Sequence, residues 1–155
     1  MEQEFIKTLN EQGLYAAVQN HKIDESFFVS NLAKIGDNYL LWNAIFQHQE
    51  LSDGFLRSLI KKGKMSIGVG NQNFVVISSY QKLTEEFLED FKDELDWFFI
   101  SIKQELSEHQ MEKYEDKLDW WLLSQWQNMS SEFIEKHRDK LDEEQLKRNK
   151  FVQLK

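Results

Sequence analysis

Two eleven-residue stretches, WFFISIKQELS (97–107) and WWLLSQWQNMS (120–130), set large apolar and small polar residues in the same order 23 positions apart. Between them the apolar positions recur at helical spacing. In LTEEFLEDFKDEL, Thr84 stands where an N-cap belongs, and Glu85 and Glu86 fall in a first turn whose dipole favours acids. Phe87, Leu88, Phe91 and Leu95 then follow on one face. Asp96 can cap a second helix, in which Trp97, Ile100 and Gln104 lie at i, i+3 and i+7. The pattern predicts a unit of two short helices, a capped helix and an aromatic helix, and no proline interrupts either.

Matched columns run through three copies without gaps: Ile77, Ile100, Leu123; Gln81, Gln104, Gln127; Leu83, Leu106, Met129; Thr84, Ser107, Ser130; Phe91, Tyr114, His137; Asp93, Asp116, Asp139. Upstream the spacing loosens. KLTEEFL, ELSDGFL and KIDESFF share an aliphatic residue, a capping residue and a phenylalanine, and segments starting at Leu14, Trp42 and Phe74 match those at Trp97 and Trp120. Helices this short are marginal alone, so copy must stack on copy to bury the apolar face, which is the logic of an α-solenoid. The predicted fold is all-α: about five stacked helical hairpins with a glycine-rich loop inserted near 61–73. It forms one domain over residues 1–155, with irregular repeats over 1–73, regular ones over 74–142 and a terminal cap or tail over 143–155.

The segment DELDWFFISIKQELSEHQMEKYEDKLDWWLLSQWQNMSSEFIEKHRDKLD resembles a short tandem repeat of uncharacterised phage, large-DNA-virus and bacterial proteins, with the pattern DKxDWxxISxxQxLSExFIEK. The resemblance is good over 71–142 and looser before. It implies stacked hairpins and a viral or mobile-element origin, and it brings no activity or site residue with it. A likeness to ankyrin in AIFQHQELSDGFLRSLIKKGK lacks the TPLH turn and the longer ankyrin period.

Recurrence assigns Trp42, Trp97 and Trp120 to one buried packing slot, so truncating Trp97 or Trp120 to alanine is expected to cost about 3–5 kcal/mol. The glutamine column, with Gln49, offers side-chain amides to free backbone groups at the tight turn. Departures from the repeat are the better candidates for function. Phe98, Phe99, Trp121 and Trp126 stand where earlier copies carry smaller residues, and they are either a buried inner layer or an exposed recognition surface. Trp126 shares its column with Tyr80 and Lys103, and a column that admits lysine predicts exposure, on the side of Tyr80. The loop KKGKMSIGVGNQN holds Gly63, Gly68 and Gly70 beside a basic group of Arg57, Lys61, Lys62 and Lys64. Without the lysine-serine ending of a nucleotide-binding loop it reads as a connection or partner contact.

Charge changes the picture in one region. The net charge of −8 resides in residues 82–119, where thirteen acids face five lysines. Glu85, Glu89, Asp93, Glu112 and Asp116 are the candidate acidic contacts there. Such a field repels nucleic acid and steers toward a protein partner with a basic surface. The absence of cysteine removes disulfides, thiol nucleophiles and thiolate metal sites. The four histidines make no ligand pair at helical spacing, so neither metal nor cofactor is expected. The N-terminus lacks a signal-peptide pattern and no run reaches membrane-spanning length, which predicts a cytoplasmic protein without membrane contact. The functional expectation is a non-enzymatic protein-binding module, in its concrete form a viral inhibitor or adaptor of a host or defence protein, with self-association open. The alternatives are an acidic mimic of nucleic acid and, behind it, a hydrolase or nuclease site assembled from distant residues.

Overall fold

The computed structural model describes residues 2–64 and 72–152, with backbone alone for residues 2, 3, 5 and 6. These residues form eleven helices and no strand: α1 (Glu2–Asn20), α2 (Glu25–Ile35), α3 (Tyr39–His48), α4 (Asp53–Lys61), α5 (Gln72–Tyr80), α6 (Glu85–Asp90), α7 (Trp97–Lys103), α8 (Glu108–Lys113), α9 (Trp120–Trp126), α10 (Ser131–Lys136) and α11 (Glu143–Arg148). The helices α1, α3, α5, α7, α9 and α11 pack side by side in chain order. The remaining five form a second row, tied one to the next through side chains. This is an all-α, solenoid-like stack. A single cluster of buried side chains runs through it from Val18 to Leu146.

The local signals act as expected. Side chains of Asp24, Ser52, Thr84, Ser107 and Ser130 cap the second-row helices, and those of Asn38, Asp96, Asp119 and Asp142 cap first-row helices. Each satisfies backbone donors that a helix start leaves open. The capped helix is shorter than its apolar spacing suggests. In the fourth unit it ends at Asp90, Phe91 turns out of helical geometry as the C-cap, and Leu95 reaches the core from the following turn, its N–H on Phe91 O at 3.0 Å.

Two parts of the chain differ from the sequence reading. Gly13 (φ 82°, ψ 173°) breaks α1 in a conformation that suits glycine, so the first unit also has two halves. At the other end, residues 143–148 are a full member of the first row. Leu146 continues the Ile77, Ile100, Leu123 column at the same step and is buried. Among the described residues the ten helices from α2 to α11 make five hairpins, the number expected, with α1 before them, and the last hairpin's helix occupies its slot on one buried leucine even after its tryptophan becomes Glu143. The loop after α4 opens with a Schellman turn: Gly63 (φ 66°) lets Lys64 N–H reach Leu59 O and Gly63 N–H reach Ile60 O, both at 2.9 Å. Gln72 and Asn73, expected in the loop, already belong to α5, and residues 65–71, with Gly68 and Gly70, lie outside the described residues.

Candidate interaction face

Units are joined by a ladder of buried glutamines. Gln104 donates from Nε2 to Ser78 O (3.2 Å) and Gln81 O (2.7 Å) of the preceding turn, while its Oε1 accepts from Leu83 N–H at 3.1 Å. Gln127 repeats this on Ser101 O, Gln104 O and Leu106 N–H, as Gln49 and Gln81 do earlier. The expected role of the column is thus present, except that each amide serves the turn of the preceding unit, where the last carbonyls of one helix and the first donor after it have no other partners.

A second column went unnoticed in the sequence. Ser78, Ser101 and Ser124 are wholly buried, and their hydroxyls accept from the backbone N–H of Asp96, Asp119 and Asp142 at 2.9–3.0 Å. The signal was available as serine recurring beside the Ile77, Ile100, Leu123 column. The tryptophans likewise have a polar role, since the indole N–H of Trp42, Trp97 and Trp120 donates to Gly36 O, Lys92 O and Glu115 O of the preceding turn. Trp42 is buried as expected. Trp97 and Trp120 are half-buried instead, packed on the side of the core by Tyr114 and by Phe133 and His137.

The outer face of the first row carries the aromatic excess. Tyr80 is 54% exposed, Phe98 53%, Trp121 49% and Trp126 43%. Phe99 is half-buried, edge-on to Phe98 at 5.3 Å. Of the two readings open for these rings, burial in an inner layer is excluded for Phe98, Trp121 and Trp126. The alternation of the repeat decides which rings stand out: on α7 and α9 the positions of Ile100, Ser101 and Gln104 turn inward, so those of Phe98 and Lys103 turn outward. Trp126 is exposed on the side of Tyr80, since Lys103 lines one groove with Tyr80 and the adjoining groove with Trp126.

The acidic candidates sit elsewhere, on the second row, and most are engaged within the chain. Lys113 pairs with Glu85 (3.0 Å) and Glu89 (3.2 Å), Lys117 with Asp93 (3.0 Å), and Lys136 with Glu112 (2.7 Å). His137 and Tyr114 meet Glu112 and Glu89 in the same way, each at 3.1 Å. Hydrogen bonds from Lys92, then Lys113, then Tyr114 draw the Glu89 carboxyl down to about 2. The ammonium of Lys136, then the ring of His137, lowers Glu112 as well. Asp116 alone of the five is exposed without an ion pair among the described residues.

The basic group also divides. Arg57 pairs with Asp90 at 2.6 Å and lies over the rings of Phe87 and Phe91, and Lys64 pairs with Asp37 at 2.8 Å. Lys61 and Lys62 close α4 at the surface, without an ion pair among the described residues. No cluster of side chains able to hold a metal occurs among the described residues, and no described helix is long and apolar enough to cross a membrane.

No protein-family model, curated protein or solved structure matches this chain. The candidate site therefore stands on its own geometry: a buried ladder inside, and exposed aromatic rings on α5, α7 and α9 that the ladder does not use.

Proposed function

We propose that this chain is a non-enzymatic protein-interaction module that binds through the outer face of its first helix row. The carrying observation is the exposure of Tyr80, Phe98, Trp121 and Trp126 on adjacent helices, where the repeat admits Lys103, Asn43 and Ser79 in equivalent or neighbouring places. Packing does not require these rings, and exposed tryptophan and tyrosine on a rigid support are the usual anchors of a protein contact. The resemblance of the repeat to viral proteins suggests an inhibitor or adaptor of a host or defence protein as the concrete form. Mimicry of nucleic acid draws less support, because four of the five candidate acids are neutralised by neighbouring cations of the chain itself.

The test compares the wild-type chain with Phe98→Ser/Trp121→Ser and with Glu85→Gln/Asp116→Asn in quantitative capture from cells of the native host, followed by titration of the captured protein. Loss of the partner with the aromatic variant alone supports this reading. Loss with the acidic variant alone, together with steep salt dependence, would replace it by mimicry.

A further inference from the structure

The glutamine ladder is incomplete at its last step. At four steps a glutamine Oε1 accepts from the backbone N–H of Ile23, Leu51, Leu83 or Leu106. The equivalent donor at the fifth is Met129 N–H. Asn149 reaches the two carbonyls of that turn, Ser124 O at 2.9 Å and Gln127 O at 2.8 Å, but its Oδ1 accepts from Phe151 N–H at 2.8 Å. Asparagine stands one position before the glutamine column, with a shorter side chain, and Lys150 fills the column itself. Met129 is only 6% exposed, and its N–H has no acceptor among the described residues. An unpaired main-chain donor in a buried residue is uncommon and asks for an acceptor.

Met129 lines a groove of about 810 Å³ together with Lys103, Leu106, Trp126, Lys150 and Phe151. That size falls in the range of binding clefts rather than packing defects. Neither lysine has a carboxylate partner among the described residues, and the Lys150 ammonium rests 4.8 Å over the ring of Phe151. Of the two carboxylates lining the groove, Glu108 is held by Ser130 N–H at 2.6 Å, and Glu105 alone is unengaged among the described residues. The other lysines of the acidic region are paired, except Lys82 on the adjoining groove, so Lys103 is one of two cations there without an ion pair among the described residues.

We infer that this groove takes an extended acidic peptide segment of a protein partner. A side-chain carboxylate accepts from Met129 N–H in the place of the missing glutamine, Lys103 and Lys150 supply the countercharge, and a neighbouring apolar side chain lies on Trp126 and Phe151. The inference rests on the interaction-module reading and specifies the partner's chemistry at one end of the face. A second copy of the chain fits less well. Its own first unit carries His21 in the glutamine column, already bonded to Thr8 Oγ1 at 2.9 Å.

The experiment selects phage-displayed random short peptides on the immobilised full chain and titrates the enriched sequences as free fluorescent peptides. Enrichment of Asp or Glu next to Phe, Trp or Leu is expected, with a shift of the Met129 amide resonance on binding. Lys103→Glu and Lys150→Glu should each weaken binding about tenfold or more, while melting as the wild type does, because both lysines are exposed and unpaired among the described residues. Peptides enriched without acids, affinities unchanged in both charge-reversed variants, or an unmoved Met129 resonance would overturn the inference. If binding is lost in Phe98→Ser/Trp121→Ser instead, the module reading survives and the groove assignment falls. A library that yields no binder also overturns the groove assignment alone, since the broader reading is tested with folded partners.

Discussion

Two seams hold successive units together, and they are built from opposite materials. The first-row seam is neutral and directional: glutamine amides and serine hydroxyls of one unit meet backbone groups of a neighbouring one, while the indole N–H groups bond the turn inside their own unit. The second-row seam is charged and exposed: Lys113 on Glu85 and Glu89, Lys117 on Asp93, Lys136 on Glu112, Lys140 on Glu115. Breaking a buried bond leaves its partner dry and unpaired, whereas breaking an exposed ion pair returns both ends to water. The inner seam therefore sets register and stability. The outer seam repeats less strictly, since Lys117 meets Asp93 where Lys140 meets Glu115, and it adds little to either.

The largest effect should follow from Gln104→Ala, which leaves Ser78 O, Gln81 O and Leu83 N–H without a partner in the middle of the stack. At about 1–3 kcal/mol for each buried group, incompletely additive, urea unfolding should show a loss of about 3–5 kcal/mol. A loss below about 1 kcal/mol would remove the ladder from its place as the dominant seam.

Trp97→Ala comes next. Its ring is half-buried rather than enclosed, so the loss should be about 2–3 kcal/mol, under the range for a fully buried aromatic. Ser101→Ala removes the acceptor for Asp119 N–H and should lose about 1–2 kcal/mol, with Ser101→Thr tolerated poorly because the site is wholly buried. A Ser101→Ala chain as unstable as Gln104→Ala would show that the two columns act as one network.

The outer seam should appear as acid sensitivity. The Glu89 carboxyl is held at about 2, below its ordinary 4.5, so its contribution is fully present above pH 4.5 and is lost as the pH falls toward 2. Glu89→Gln should flatten that part of the stability–pH curve, and at neutral pH it should lose only what the wild type loses between pH 4.5 and 2, a small amount because the carboxylate and its cations are exposed. A large loss at neutral pH would mean that the ion pairs carry the stack after all. The smallest effect on folding is expected for Trp126→Ala, whose ring is 43% exposed: the melting temperature should hold while partner binding weakens. Unfolding comparable to that of Trp120→Ala would return Trp126 to the core and take the best anchor from the proposed face.

Much of this was written in the order of residues. The 23-residue period, the caps at Thr84, Ser107 and Ser130 and the inward Ile77, Ile100, Leu123 column specify short helices and oblige them to stack, because none is long enough to persist alone. The lysine at position 103 foretold the exposure of Trp126, since an unpaired ammonium is not left in a dry core. Tertiary structure decided what chain order does not encode: which unit each glutamine serves, which acids are met by lysines about one repeat away, and that the ladder closes on Asn149 with Met129 N–H unanswered among the described residues. Those outcomes depend on the rise and rotation from one unit to the next. A side-chain pattern fixes which face of a helix is apolar, but only the stacked geometry fixes which atom on the neighbouring unit comes within hydrogen-bonding distance.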